Sequence, residues 1–396
     1  MTGLRAWTTL LLVSALFFII TAATFASLGL ALPAMMAELH WSYGDAGAGF
    51  SLLGVFCGIT SYIPAAMIRR LGVRATFLAG AAIMALAFWA LSAAQGLPLY
   101  FLGASLAGFG FTLLATVPGT YLLTRLFPRP AFAFGLYFTL GGLGGVAGPQ
   151  LYIWLAGAAG DWRTFWMGAG ALTVLIAIAA ALFCDTRTDL SAAGEADPDI
   201  SAEAWDARTA MKTPQFLFIA AAYTAFLVVG ITANATAASH LEAGGITALV
   251  AGNMMSIEGA VNAAARFAGG LLSAVIGARG LLVASLLALV AGLLALAFGH
   301  STTALLVYAA GIGIGYGLTF FASTILLLDY FGRKPNLELF SVINLVSTLG
   351  SAGPWAAGLS RDHLGSYVPA YLLLAGLMLV IAAVALFLKP PQARRA

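Results

Sequence analysis

The sequence predicts an all-α membrane protein with twelve transmembrane helices in two pseudo-symmetric six-helix bundles. Three observations predict it. First, 61% of the 396 residues are hydrophobic and only 8% are charged, whereas a soluble domain carries about 25% charged residues. Second, the apolar residues fall into long unbroken stretches near the ~20 residues that a helix needs to cross a bilayer. Third, the two halves of the chain share motifs at one fixed separation. This composition excludes a soluble enzyme, a disordered chain and a nucleic-acid binder. A net charge of +3 points to no polyanionic partner. Unbroken apolar runs fit helices, not the alternating strands of a barrel.

The spans follow in chain order. Thr8–Met36 is too long for the ~7–15-residue core of a signal peptide and reads as a retained first helix. The first half continues with Ala46–Ile68, Ala75–Ala94, Pro98–Leu126, Ala131–Leu155 and Thr164–Phe183. The second half holds Pro214–Ala238, Thr247–Val275, Gly280–Gly299, Thr302–Tyr330, Leu337–Leu359 and Tyr367–Leu388. Charge, Gly and Pro punctuate these stretches. The acidic gap between the halves reads as a cytoplasmic linker, with a short surface helix over Ser201–Met211 and Trp205 at the interface. The expected division is therefore 1–184, a linker 185–212, and 213–396.

Lysine and arginine set the orientation. Of the 18 such residues, Arg163 and Arg361 fall on one side of the membrane and Arg266 lies inside a span; the other fifteen flank the opposite side. That places both termini in the cytoplasm, in a multi-pass protein of the cell (inner) membrane. Cys57 and Cys184 read as buried apolar residues, not a disulfide framework.

The repeat is visible in two separated motifs. Gly72-Val73-Arg74 after the second span matches Gly277-Ala278-Arg279 after the eighth, 205 residues on. Ala147-Gly148-Pro149 matches Ala352-Gly353-Pro354 at the same separation.

An ionisable group within a span is costly and is a functional hypothesis by default. Two fall well inside, Glu258 and Arg266, both in the eighth span with Asn262 between them. The i, i+4, i+8 spacing puts all three on one helical face. Arginine stays charged and offers a planar fork to one carboxylate. Arg266 therefore either binds the carboxylate of a substrate or forms a salt bridge with Glu258, which is strained because the two lie about 12 Å apart along one helix. Glu258 is the embedded group that can titrate. It either couples protons to anion binding at Arg266 or stays ionised as a structural group. With no second embedded cation, a monoanion is favoured over a dianion. Tyr121, Asn234, Tyr316 and Asn344 are candidates to line the substrate cavity. No metal-ligand cluster, acid–base cluster or P-loop appears, so no cofactor and no enzymatic activity are expected.

These features resemble the major facilitator superfamily over the whole chain: twelve helices in two halves, an acidic central loop, and a basic loop after the second helix. That loop is similar to the family's G-x-L-x-D-R-x-G-R-R pattern at Arg70, Gly72 and Arg74, with Arg69 at the Asp position. Its second copy ends at Arg279. The resemblance implies that Arg70, Gly72, Arg74 and Arg279 serve the cytoplasmic gate. Asp329-Tyr330-Phe331-Gly332-Arg333-Lys334, Asp362-His363-Leu364-Gly365 and His40-Trp41-Ser42 are similar to carriers of the monocarboxylate and oxalate–formate type. Those carriers hold an anion-binding Arg at the position of Arg266, often with an Asp where this chain has Asn262.

The implied function is a monomeric secondary transporter for a small organic anion, working by alternating access with the proton as coupling ion. A drug or metabolite–proton antiporter and a transport-inactive receptor are the alternatives. Gly144–Pro149 resembles an antiporter signature, but its partial recurrence in the eleventh span reads as close helix packing.

Overall fold

The structure is a computed structural model and describes residues 2–127, 130–184, 205–332 and 335–391. The greater part of the expected linker, 185–204, lies outside the described residues. No strand occurs among those described.

The first span is α1 (Thr2–Thr21) joined through a π-helical turn, Ala22–Ala26, to α2 (Ser27–Leu39). α3 (Tyr43–Ile59) starts at Ser42, whose hydroxyl accepts the Asp45 N–H, a helix N-cap. The second span was expected to be continuous, but it breaks at Thr60–Tyr62. α4 (Ile63–Ser92) begins anew with Pro64 in its first turn, where proline's missing N–H is harmless. The fourth span is α5 (Leu97–Leu114) and α6 (Thr116–Leu126), followed by α7 (Pro130–Ala159) and α8 (Trp162–Phe183).

After the short α9 (Ala207–Met211) come α10 (Pro214–Ala243), α11 (Ala248–Phe298) and α12 (Thr302–Phe331). The eleventh span is α13 (Asn336–Ser347), a 3₁₀ turn (Thr348–Ala352) and α14 (Gly353–Leu364). α15 (Val368–Leu386) is the twelfth. Among the described residues, eight helical stretches are long and apolar enough to cross a membrane by length and composition. Trp205 packs edge-on against Phe331, ring centroids 5.5 Å apart.

Where loops were expected after the second and eighth spans, helix runs on both sides of one residue. Gly72 has φ 84°, ψ 168° and Gly277 has φ 70°, ψ 160°. This region is essentially confined to glycine, so the chain changes direction at a single position. These two glycines stand 205 residues apart. So do His40 and Gly245, and Gly160 and Gly365, all at positive φ. The duplication seen in side chains is thus repeated in the backbone.

By packing, the chain divides into two compact units: Met1–Thr188 with Ile231–Ala260 and Ser351–Tyr367, and Asp189–Gly230 with Val261–Gly350 and Val368–Ala396. In the first unit, α4 packs on α5 and α8, α1 on α7, and α3 on α5 and α14. Buried tyrosines tie neighbouring elements: Tyr100 of α5 donates to the Ala46 carbonyl of α3 at 2.7 Å, and Tyr137 of α7 to the Ala115 carbonyl between α5 and α6 at 2.9 Å.

The first unit also contains two equivalent helix seams. On α3 the pattern Gly47-x₃-Ser51-x₂-Gly54 faces α14; on α11 the pattern Gly252-x₃-Ser256-x₂-Gly259 faces α7. A Cβ at Gly54 would meet Ser351 Oγ at 2.4 Å, and one at Gly259 would meet the Gly145 carbonyl carbon at 2.9 Å. Gly29 lies against the backbone oxygen of Asn234, and these two residues are also 205 apart. Contact between repeat counterparts is what a two-fold axis requires of residues beside it. One element is not duplicated. The Asp362 carboxylate accepts the Tyr43 and Gly44 N–H groups at 3.0 and 2.7 Å, at the α3 N-terminus, where negative charge is favoured. Its counterpart position holds Gly157.

Candidate functional site

The second unit gathers polar and aromatic side chains from four helices around Arg266. Asn262 lies one turn before Arg266 on α11, so its Oδ1 is within reach of the guanidinium and accepts the Nε hydrogen at 3.0 Å. α12 approaches α11 closely because Gly317 has no side chain: a Cβ there would lie 2.6 Å from the Asn262 carbonyl oxygen. That approach brings the Phe320 ring under the guanidinium carbon, 4.8 Å from the ring centroid, a cation–π geometry.

Further rings extend the wall. Tyr223 and Phe226 on α10 sit 4.9 Å apart; Tyr223 is 6.1 Å from Phe320 and 5.9 Å from Phe340 of α13. Phe226 is 5.0 Å from Tyr316. Tyr223 donates its hydroxyl hydrogen to Asn344 Oδ1 at 3.2 Å. Tyr223 and Tyr316 are both within electrostatic reach of Arg266.

Arg266 is half-buried. Among the described residues, no carboxylate lies within 4.0 Å of its guanidinium and its Nη groups make no hydrogen bond. The contacts it does make, an amide oxygen and a ring face, are uncharged. The formal charge therefore stays on the site.

Of the residues singled out from the sequence, the structure brings Arg266, Asn262, Tyr316 and Asn344 into this one cluster. Tyr121, Asn234 and Glu258 belong to the first unit. Tyr121 lies under Arg125, 4.3 Å from guanidinium carbon to ring centroid. Asn234 presents its backbone to Gly29, and Glu258 is buried at 6% exposure beside Gly259 of the seam. Arg70 and Arg74 are exposed on either side of the Gly72 bend, and Arg279 donates from Nη1 to the Leu388 carbonyl at 3.0 Å.

Sequence reasoning missed Phe320 and Phe340. A usable signal was present: Phe320 follows Tyr316 by four residues and Asn344 follows Phe340 by four, each pair on one helical face. The site is built in one repeat only. The counterparts of Arg266, Asn262, Phe320 and Asn344, 205 residues earlier, are Ser61, Cys57, Ala115 and Thr139.

The family profile of the Major Facilitator Superfamily matches residues 14–244 and again 231–396. The chain belongs to the Major Facilitator Superfamily. Solved structures of the superfamily share its fold. The nucleoside transporter NupG superposes with a TM-score of 0.77 at 14% identity, covering 96% of this chain and 98% of its own; a variant of NupG gives 0.80 at 14%, covering 96% and 99%. A bacterial homologue of the human lysosomal transporter Spinster, inward-facing and unoccupied, gives 0.76 at 16%, covering 97% and 96%. No curated protein matches the chain by sequence. The chain is thus a multi-pass membrane protein with the fold of the superfamily's transporters.

Proposed function

We propose that this superfamily member is a secondary carrier of a small organic monoanion, of the monocarboxylate and oxalate–formate type, and that Arg266 binds the carboxylate. One observation carries the reading: a half-buried arginine in an apolar helix, held by Asn262 and Phe320 with no carboxylate within 4.0 Å among the described residues. A charge within a span disfavours insertion by about 2.5–3.5 kcal/mol on insertion scales, and neutral contacts leave that charge uncancelled. A carboxylate on the two Nη groups would cancel it with charge-assisted, bidentate hydrogen bonds. A single such arginine, absent from the other repeat, favours one negative charge over two.

Asn262 orients the fork, and Tyr316 and Asn344 border the substrate. Glu258 carries the coupling proton: the anion and proton together are neutral, and the loaded carrier completes alternating access. Arg70, Gly72, Arg74 and Arg279 serve the cytoplasmic gate. The carrier works as a monomer in the cell's inner membrane with both termini cytoplasmic, as the arginine and lysine bias favours.

The test is uptake of labelled formate, lactate and benzoate into proteoliposomes under an imposed proton gradient. Wild-type protein accumulates one of them and Arg266→Gln does not, while Glu258→Gln loses the dependence on the gradient. Wild-type uptake by Arg266→Gln rejects the anion reading; an unchanged gradient response in Glu258→Gln removes that residue from coupling.

A further inference from the structure

The first unit holds a cavity of about 260 Å³ where the end of α2, the start of α3 and the end of α10 meet. It lies where the two copies of the repeat touch. Ala37 and Glu242, which both line it, are 205 residues apart, and two turns further in Gly29 packs against its own counterpart Asn234. The copies differ at this point: one wall carries a methyl group and the other a carboxylate. An occupant of the cavity therefore meets one fixed negative charge.

Glu242 is half-buried, and among the described residues no Lys, Arg or His nitrogen lies within 4.0 Å of its carboxylate. The rings of Trp41 and Tyr43 share the cavity with it, and Pro33 and Met36 complete an apolar wall. Both rings are held by contacts that leave the carboxylate alone. Trp41 stacks on Tyr100 with centroids 4.7 Å apart, and the Arg361 guanidinium carbon lies 5.2 Å from the Tyr43 ring centroid. A carboxylate beside aromatic rings attracts a cation through both its charge and their quadrupoles. A metal ion would demand several oxygen ligands, and one carboxylate does not supply them. A weakly hydrated cation with alkyl groups suits the apolar wall instead. Arg361, beyond Tyr43, repels a second positive charge, so the occupant carries one.

We infer that this cavity binds a small organic monocation, an alkylated ammonium, between Glu242 and the rings of Trp41 and Tyr43. The test is isothermal titration calorimetry of the purified full-length protein in a non-ionic detergent at constant ionic strength. The probes are choline, its uncharged isostere 3,3-dimethylbutan-1-ol, potassium chloride and dihexanoyl phosphatidylcholine. Choline binds with one site per chain, and the isostere and potassium bind at least tenfold more weakly. Glu242→Gln weakens choline about tenfold and Trp41→Leu about threefold. Ala37→Leu, at an exposed position, fills the cavity without touching its charge or its rings. It also weakens choline, and serves should either of the other variants fail to fold. A response to choline, with or without one to the lipid, supports a free cation; a response to the lipid alone overturns it. Absence of choline binding also overturns the inference, as does equal affinity for the isostere or for potassium, or choline binding that none of the variants changes.

Discussion

Ser51 and Ser256, 205 residues apart, hold matching hydrogen bonds: Ser51 Oγ accepts the Trp355 backbone N–H and Ser256 Oγ accepts Gln150 Nε2, both at 3.1 Å. Trp355 and Gln150 are themselves 205 residues apart, so the two seams are copies of one interface. A larger residue has no room in either seam: a Cβ at Gly54 would lie 2.9 Å from the Ser351 Cβ, which no rotation moves, and one at Gly259 would lie 2.9 Å from the Gly145 carbonyl carbon. Gly54→Val and Gly259→Val are therefore each expected to lower the melting temperature in detergent. An unchanged melting temperature in either variant would contradict close packing at that seam.

Gly72 and Gly277 occupy a backbone region that other residues enter at about 1–3 kcal/mol. Gly72→Ala and Gly277→Ala should each lower the melting temperature measurably. Gly280→Ala, where a Cβ would have ordinary contact distances of 3.6 Å or more, should leave it nearly unchanged.

Asn262 accepts from Arg266 Nε and so fixes the plane of the guanidinium. Asn262→Ala should weaken binding of the transported anion about tenfold, as expected for loss of a hydrogen bond to a charged group. Asn262→Asp should weaken it more, because it sets a carboxylate against Arg266 in competition with the ligand. Competition binding on purified protein measures both. Tighter binding by the Asp variant would contradict this role.

Phe320 presents its ring to the same guanidinium. A partly desolvated cation–π contact is worth about 0.5–2 kcal/mol, so Phe320→Leu should reduce anion affinity about two- to thirtyfold. Phe320→Tyr should stay close to the wild type. Binding isotherms for the two variants decide it.

Much of the fold was legible because membrane burial leaves a strong mark. An apolar run of span length has few alternatives, and the Gly72/Gly277 and Ala-Gly-Pro repeats located the duplication. The interruptions were not legible. The π turn at Ala22–Ala26 lies inside an apolar run, and the Thr-Ser-Tyr stretch at 60–62 before Pro64 is too short to end a span by hydropathy.

At the site, Arg266 and Asn262 stood out because charge and amide are rare in a span. Asn344 and Tyr316 joined them in the structure. Phe320 and Phe340 did not stand out, because phenylalanine occurs 26 times in the chain and only the fold says which rings face the arginine. Tyr121 and Asn234 were chosen on polarity alone. Their surroundings, a cation–π contact with Arg125 and a backbone packed on Gly29, depend on helix pairing that no single sequence displays.

The most direct measurement is a thermal-shift titration of the purified protein with a panel of small monocarboxylates, run in parallel on Arg266→Gln. A ligand that binds the folded state raises its melting temperature by mass action. The account predicts a rise for the wild type with at least one monocarboxylate, none with its uncharged amide, and none with either for Arg266→Gln. An equal rise in the Arg266→Gln variant would contradict it.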